Sequence, residues 1–156
     1  MTGRAVVSEE SGDLLEADVD ALVNAVNTVG VMGKGLALQF RRAFPAMFDD
    51  YRQACRAGDV RVGRMHVWET GATSGPRFVV NFPTKEHWRS ASRLAFVDDG
   101  LVDLAAVIRA QGIRSVAVPA LGAGLGGLDW ADVRPRVVAA LGALDGVDVR
   151  LYGPRA

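Results

Sequence analysis

Cysteines, long apolar runs and metal-binding motifs are scarce or absent in this chain. Cys55 is its only cysteine, which excludes an internal disulfide and a metal cluster built from cysteines. There is no apolar run of membrane length and no signal-peptide opening, so we expect a cytoplasmic protein with no membrane partner. His66 and His87 lie in different segments, with no carboxylate or cysteine at ligand spacing. We therefore expect no metal site and no cofactor.

Net charge is absent as well. The 18 basic and 18 acidic residues balance to a formal charge of zero. A broad basic surface for nucleic acid or for an anionic membrane is therefore not visible in the sequence. The neutral charge does not exclude a local basic patch, because Arg41, Arg42, Arg89 and Arg93 are able to gather around one site.

The chain does contain enough apolar material for one compact core. Of its 156 residues, 49% are hydrophobic, and the mean hydropathy is +0.14. This length and composition suit a single domain over residues 1–156 and argue against disorder. We expect that domain to be a monomer.

Strand and helix patterns alternate along the chain. Apolar runs predict strands over residues 4–8, 21–26, 65–69, 77–82, 115–119 and 147–152. Stripes at helical spacing predict helices with the inward-facing residues Leu36, Phe40 and Phe44; Phe48, Tyr51 and Cys55; Val97, Leu101, Leu104 and Ile108; and Val133, Val137, Ala140 and Leu144. Pro45 opens the second helix and Asp129 caps the last, in which Pro135 predicts an irregular or later start. The alternation is typical of a three-layer α/β/α sandwich with a mixed central sheet.

Two glycine-rich turns, at residues 24–35 and 119–129, are the most informative feature of the sequence. Each turn lies between a predicted strand and a predicted helix. Glycine lets the backbone approach a ligand closely, and a helix start presents unpaired N–H groups with a partial positive charge. The pair of turns therefore predicts a cradle for two linked phosphates.

Three other interpretations of these turns compete with the cradle. A P-loop would require glycine in place of Thr28 and serine or threonine in place of Gly35, so that motif fails twice. Residues 122–127 satisfy the dinucleotide fingerprint GxGxxG, but that motif normally follows the first strand of its domain and here lies near the end of the chain. Tight turns without a ligand leave unexplained why both turns occur together, with Asn24 and Asn27 beside the first.

Four segments, in this order along the chain, resemble the macrodomain, a family that binds ADP-ribose. They are residues 24–27, 29–37, 81–89 and 119–130. They look most similar to the branch that contains the DarG-type DNA ADP-ribosyl glycohydrolases and the terminal ADP-ribose protein glycohydrolases. The match extends from about residue 10 to residue 152. The resemblance implies the macrodomain fold and, as the partner, ADP-ribose carried on a modified protein or DNA.

The resemblance also implies a set of ADP-ribose contacts, with the two glycine turns holding the pyrophosphate from opposite sides. The set comprises Asp13, Leu14, Asn24, Gly33, Lys34, Gly35, Pro119, Leu121, Gly122, Ala123, Gly124, Leu125, Gly126 and Tyr152. Asp13 would accept a hydrogen bond from the adenine amino group, although an ordinary turn carboxylate explains it as well. Asn24 is better explained as a structural residue that satisfies nearby backbone. Tyr152 would pack on the adenine. The alternative is that it is an ordinary core or surface residue at the end of the last strand.

The same resemblance assigns catalysis to Lys85, with Asn27 reaching the distal ribose hydroxyls. Breaking the bond at C1 of that ribose develops positive charge on the sugar and negative charge on the leaving group. A lysine amine is able to donate a proton, to stabilise this charge or to attack the opened sugar, and these roles stay open. Gly126 stands where the terminal ADP-ribose protein glycohydrolases carry an aspartate, which puts a mechanism through a lysine adduct in doubt. A solvated surface lysine is the alternative for Lys85.

His87, Trp88 and Arg89 follow Lys85 closely and are candidate substrate contacts. Trp88 and Arg89 would stack on and clamp a base, as in single-strand binders, or Trp88 anchors its own loop. The DarG-like sequence favours thymidine bases of DNA as the substrate, whereas the neutral charge favours Glu or Asp esters of proteins. We expect an ADP-ribosyl hydrolase that removes single ADP-ribose units from such macromolecules. A non-catalytic ADP-ribose reader and a hydrolase of small ADP-ribose derivatives are the alternatives.

Overall fold

The fold is built on one six-stranded sheet with the strand order β1-β6-β5-β2-β4-β3. The computed structural model describes residues 4–154. The strands are β1 (Val6–Glu10), β2 (Ala21–Val26), β3 (His66–Glu69), β4 (Phe78–Pro83), β5 (Ser115–Val118) and β6 (Asp148–Tyr152). Four neighbouring pairs are parallel, and β3 runs antiparallel to β4. The prediction of a mixed central sheet is confirmed.

Helices cover both faces of this sheet. They are α1 (Gly35–Ala43), α2 (Pro45–Arg56), α3 (Leu94–Ala110) and α4 (Trp130–Leu141). One apolar core lies between the sheet and α3 with α4, and a second lies between the sheet and α1 with α2. The three-layer α/β/α sandwich is therefore confirmed.

Strand β2 illustrates why the sheet strands are so uniformly apolar. Its Val23 belongs to the core under α3 and α4, whereas the adjacent Leu22 belongs to the core under α1 and α2. Both side chains are fully buried. Because successive side chains point to opposite faces, a strand covered on both sides has to be apolar at nearly every position.

Most strand ends differ from the sequence prediction by one or two residues, and the two clearest boundary differences are at the start of β1 and the end of α4. Strand β1 begins at Val6, where its register with β6 starts, and Arg4 instead forms an isolated bridge to Asp145. Helix α4 ends at Leu141, so the buried Leu144 packs from the turn beyond it rather than from the helical stripe.

The start of α4 is regular, and the expectation of an irregular or later start was wrong. The Asp129 side chain accepts a hydrogen bond from the Ala131 N–H at 3.0 Å, so the helix is capped where the sequence predicts it. Pro135 lies inside α4, but on its exposed face. The carbonyl of Ala131, which loses its partner to the proline, is also on an exposed residue, where water is able to bind it.

The parallel arrangement decides where the functional residues meet. Strands β1, β6, β5, β2 and β4 all point their carboxyl ends to one edge of the sheet. The first glycine turn follows β2, Lys85 follows β4, and the second glycine turn follows β5. Ligands of open parallel sheets bind at this kind of edge. Within the described part of the chain, no helix is long and apolar enough to cross a membrane.

Candidate functional site

A cleft of about 1170 Å³ opens at the carboxyl edge of the sheet. Both glycine turns line it, and we call residues 27–35 the first loop and residues 119–129 the second loop. The sequence-predicted residues that line the cleft are Asp13, Leu14, Asn27, Gly33, Lys34, Gly35, Lys85, Trp88, Pro119, Gly122, Gly124, Leu125, Gly126 and Tyr152. The structure thus brings together most of a set that is scattered over the whole chain.

Five other predicted residues lie outside the lining: Asn24, Leu121, Ala123, His87 and Arg89. Asn24 and Leu121 are fully buried, and Ala123 packs against the core under α3 and α4. Asn24 lies on β2 with its side chain among Met32 and Asn81, below the loop that follows the strand. The structure therefore places Asn24 beneath the site as a supporting residue, rather than in it.

Asn27 lines the cleft, but its side chain shapes the first loop. Its Oδ1 accepts the backbone N–H groups of Val29, Gly30 and Val31 at 3.1, 3.2 and 3.3 Å. Its Nδ2 donates to the Val31 carbonyl at 2.8 Å. The amide predicted to reach a ribose is thus engaged mainly with its own loop in this structure, which holds that loop in one conformation.

Tyr51 of α2 locks Asn27 from below. Its hydroxyl lies 2.8 Å from the Asn27 carbonyl oxygen and 2.9 Å from Asn27 Oδ1, and donates its proton to this pair. Tyr51 is fully buried. Burial raises the pKa of its hydroxyl, with the nearby Cys55 as a smaller cause, so the group stays protonated and remains a donor. The sequence predicts Tyr51 as core but gives no signal for this bond.

A row of polar side chains crosses the sheet below the first loop. Asn24, Asn81 and His66 lie directly opposite one another on β2, β4 and β3. Asn24 Nδ2 donates to Asn81 Oδ1 at 3.1 Å, and Asn81 Nδ2 lies 3.0 Å from His66 Nδ1. Because that nitrogen accepts, the ring proton sits on Nε2, which is 2.8 Å from Asp50 Oδ2. Asn24 Nδ2 also approaches the sulfur of Met32, so the row ends at the first loop.

The second loop is shaped by close packing of glycines. A Cβ added at Gly126 would overlap the Ser92 hydroxyl and lie 2.6 Å from the Gly122 carbonyl oxygen. Gly122 has φ +70°, and a Cβ there would lie 2.8 Å from Leu128 Cδ1. Ser92 N–H donates to the Gly126 carbonyl at 3.0 Å. This path of the loop has no room for an aspartate in place of Gly126.

Lys85 is held beside the first loop by two sets of contacts. Its Nζ donates to the Trp88 carbonyl at 3.0 Å, and its side chain is half-buried. The segment that carries it is tied to the first loop by Thr28, whose N–H and hydroxyl both donate to the Glu86 carbonyl, at 3.0 and 2.8 Å. The amine thus lies at the wall of the cleft, hydrogen-bonded to the backbone carbonyl of Trp88.

Trp88 is one of the two aromatic residues that line the cleft, and its neighbours in sequence contact its ring. Its side chain is 42% exposed. The Arg89 guanidinium lies 4.4 Å from the centroid of the Trp88 ring, and the His87 ring centroid lies 5.0 Å from it. His87 and Arg89 do not line the cleft themselves, but both contact the Trp88 ring that does.

The opposite end of the cleft is built by Asp13 and Tyr152. Asp13 Oδ1 accepts the Leu15 N–H at 3.0 Å and caps the short turn Leu14–Glu16. Burial and then the charge of Glu10 raise the pKa of Tyr152, which keeps its hydroxyl neutral. This end therefore offers one anchored carboxylate and one neutral aromatic ring.

Sequence reasoning missed thirteen lining residues: Glu10, Ser11, Gly12, Ala25, Val26, Val31, Leu36, Ala37, Gln39, Thr84, Ala120, Gly153 and Pro154. Most of them are next to predicted residues in the sequence, so extending each motif by a few residues would have included them. Gln39 lies one turn into α1 and needed the orientation of that helix. Within residues 4–154 there is no group of three or more His, Cys, Asp or Glu that could hold a metal ion.

Comparison with known proteins identifies the family. A family model described as "Macro domain" matches residues 23–137. The chain belongs to the macrodomain family. The solved macrodomain of Mycobacterium tuberculosis DarG is 55% identical, with a TM-score of 0.95, and the match covers 97% of this chain and 99% of that one.

Two longer relatives extend the comparison. This macrodomain is 56% identical over 149 residues to the DNA ADP-ribosyl glycohydrolase of Mycobacterium tuberculosis strain H37Rv, covering 96% of this chain and 42% of the relative. Thermosipho africanus DarTG in complex with ADP-ribose is 33% identical with a TM-score of 0.89, covering 95% of this chain and 41% of that one. The macrodomain thus spans about two fifths of the length of these relatives.

Proposed function

We propose that this macrodomain is a hydrolase that removes single ADP-ribose units from a modified macromolecule, with DNA as the preferred substrate. The observation that carries the proposal is that Lys85, held in place by its bond to Trp88, lines the same cleft as both glycine loops. A diphosphate gripped by the loops would place the distal ribose of ADP-ribose within the same cleft as this amine.

The diphosphate part of the proposal rests on the start of α1. Lys34, Gly35 and Leu36 line the cleft, so the N-terminus of this helix opens onto it. The N-cap residue Lys34 makes no side-chain hydrogen bond to the first turn. The helix N–H groups that a cap would satisfy are thus directed to a ligand with negative charge. The neighbouring Lys34 ammonium adds positive charge.

The cleft volume supports a nucleotide-sugar rather than a smaller anion. A space of about 1170 Å³ is slightly above the roughly 300–1,000 Å³ typical of small-molecule pockets. Asp13 and Tyr152 at one end suit an adenine, and Lys85 with Trp88 occupies another part of the wall. The solved relative from Thermosipho africanus contains ADP-ribose, which favours the same ligand here.

The reaction follows from the position of Lys85. The bond between C1 of the distal ribose and the base nitrogen breaks, its electron pair goes to the nitrogen, and the oxygen of a water forms the new bond to C1. The Lys85 ammonium stabilises the negative charge on the leaving group and supplies it with a proton, and the proton that the water loses on bonding to C1 restores the ammonium. Because Gly126 has no room for a carboxylate, a step that needs one at this position is not part of the proposal.

The preference for DNA rests on leaving-group chemistry and on sequence similarity to a named relative. A carboxylate released from a Glu or Asp ester has a conjugate-acid pKa of ~4 and needs little assistance. A base nitrogen is a poorer leaving group and gains more from a fixed cation such as Lys85. The longer relative with 56% identity is named a DNA ADP-ribosyl glycohydrolase, which favours DNA here as well.

The test compares Lys85→Ala with Lys34→Ala, the matched lysine of the same cleft. Wild-type protein is expected to release ADP-ribose from ADP-ribosylated single-stranded DNA. Lys85→Ala should lower kcat by ~10²-fold or more, the usual contribution of a proton donor, with little change in the Kd for free ADP-ribose. Lys34→Ala should raise that Kd and leave kcat at saturation nearly unchanged.

The same assay tests the two alternative functions, a non-catalytic ADP-ribose reader and a hydrolase of protein esters. Wild-type protein that binds ADP-ribose tightly but releases none from DNA, from ester-modified protein or from small ADP-ribose esters would leave only the reader. Faster release from the protein ester than from DNA would overturn the substrate preference but retain the hydrolase.

A further inference from the structure

The exposed apolar side chains of this protein are concentrated at the cleft. Within residues 4–154, the exposed large hydrophobic residues are Val6, Val29, Val31, Trp88, Val102 and Leu125. Val31, Trp88 and Leu125 line the cleft, and Val29 lies two residues before Val31 in the first loop. We call these four residues the apolar rim. Isolated exposed apolar residues are ordinary, but a group of them around one opening marks a binding surface.

The rim is assembled from three separate segments that meet at the cleft. Val29 and Val31 belong to the first loop, Trp88 to the Lys85 segment, and Leu125 to the second loop. Leu125 Cδ1 lies 3.4 Å from the position that a Cβ on Gly35 would occupy, so this side chain reaches across to the first loop. The rim therefore faces whatever enters the cleft from outside.

The rim adjoins the Lys85 segment, to which the first loop is tied by the two bonds from Thr28 to the Glu86 carbonyl. Trp88 supplies the carbonyl to which Lys85 Nζ donates, at 3.0 Å. Val29 and Val31 follow Asn27, and both of their N–H groups bond to its side chain. Material attached to the leaving group of the reaction would thus leave the cleft across the rim.

Cations lie among these apolar side chains. Arg89 is exposed and stacks over the Trp88 ring at 4.4 Å, and the exposed Lys34 of the first loop lines the same cleft. Aromatic and apolar faces interleaved with cations suit a single nucleic-acid strand, because bases stack on the former and phosphates pair with the latter. A duplex hides its base faces and does not match such a surface.

We propose that the apolar rim binds the nucleotides that flank the modified one in a single strand of DNA. This inference rests on the proposed function for the identity of the substrate. The rim makes the protein recognise a strand, in addition to the ADP-ribose that the glycine loops hold. Its consequence is a dependence of turnover on substrate length.

The experiment compares an ADP-ribosylated nucleoside with an oligonucleotide of about ten nucleotides that carries the same modified base. Wild-type protein should show a kcat/KM about tenfold or more higher for the oligonucleotide. Trp88→Ala should reduce the ratio of the two kcat/KM values by about tenfold, since one stacked base is lost. Val29→Ala should reduce this ratio by a smaller factor.

The matched controls are Val102→Ala and Val6→Ala, since these valines are exposed but lie away from the cleft. Both should leave the ratio at the wild-type value. Equal wild-type efficiency on the two substrates, or rim variants that slow both substrates equally, would overturn the proposal.

A second measurement separates this inference from the proposed function. Binding of an unmodified single-stranded oligonucleotide, followed by fluorescence anisotropy, reports on the rim even if the protein hydrolyses nothing. Wild type should bind it more tightly than the matching duplex, and Trp88→Ala should weaken that binding. Equal affinity for the single strand and the duplex, or no effect of Trp88→Ala, would refute the proposal that the apolar rim binds a single strand. A lack of ADP-ribose release with normal strand binding refutes the hydrolase alone.

Discussion

The two glycine loops face the same cleft, but opposite kinds of interaction hold them in shape. In the first loop, Asn27 receives three backbone N–H groups and is in turn bonded by the buried Tyr51. In the second loop, the chain segments pack closely because Gly122 and Gly126 have no side chain. The first loop is fixed mainly by the hydrogen bonds of one side chain, and the second mainly by close packing that only glycine permits.

This difference determines which substitutions each loop tolerates. When one donor of a hydrogen-bonded loop is removed, the free energy of unfolding falls only by the contribution of that bond, because the remaining bonds persist. In the second loop, a methyl group added at Gly126 would also meet backbone atoms of Gly122, which are not able to rotate aside as a side chain does, so the chain itself would shift. The comparison therefore predicts a larger penalty in the second loop.

The largest expected effect is that of Gly126→Ala. The added methyl group would lie 2.6 Å from the Gly122 carbonyl oxygen and would overlap the Ser92 hydroxyl. We expect a loss of about 3 kcal/mol in the free energy of unfolding and at least a tenfold higher Kd for ADP-ribose. Chemical denaturation and calorimetry measure the two quantities.

Gly124→Ala is the control in the same loop. A Cβ at Gly124 meets nothing within 4 Å, and its φ is not positive. Its free energy of unfolding should stay within about 0.5 kcal/mol of the wild type. If both variants lose equal stability, close packing does not shape the second loop.

The next effect is that of Tyr51→Phe, which removes a hydroxyl and keeps the ring. The Asn27 carbonyl and Oδ1 would lose a donor at 2.8 and 2.9 Å. We expect a loss of about 1–2 kcal/mol in the free energy of unfolding, with faster amide hydrogen exchange over the first loop. Tyr152→Phe, at the other tyrosine of the chain, should change stability much less; an equal loss there would contradict the special role of Tyr51.

The smallest effect belongs to Ser92→Ala. Among the hydrogen bonds of residues 4–154, the Ser92 hydroxyl is buried without a partner. Its backbone N–H, which donates to the Gly126 carbonyl, is unaffected by the substitution. We expect stability to be unchanged or to rise by up to ~1 kcal/mol, since an unsatisfied buried group is removed. A clear loss in thermal denaturation would mean that the second loop does rely on a side-chain hydrogen bond.

Local sequence patterns predicted most of the fold. The apolar run of β2 and the stripe of α3 are long and regular, and both elements lie where the patterns place them. Differences occur at element ends, where β1 follows its register with β6 and α4 stops before Leu144. Such ends depend on neighbouring strands and turns, which periodicity does not describe.

The candidate site was predicted less evenly. The glycines and Lys85 carry motif information, and they line the cleft. Asn24 belongs to the same motif but points below the loop, and Arg89 lies outside the lining. A motif indicates which residues are near a site, whereas the side of the strand or loop that each one occupies depends on the backbone path.

By itself, the sequence determined the order of strands and helices and the two glycine turns, because these depend on hydrophobic period and backbone freedom at adjacent positions. The tertiary structure decided that Tyr51 bonds Asn27, that Asn24, Asn81 and His66 form one row, and that Gly126 packs on Ser92. The partners in these contacts are far apart in the chain. Their meeting is fixed by strand register and helix placement, which no local pattern encodes.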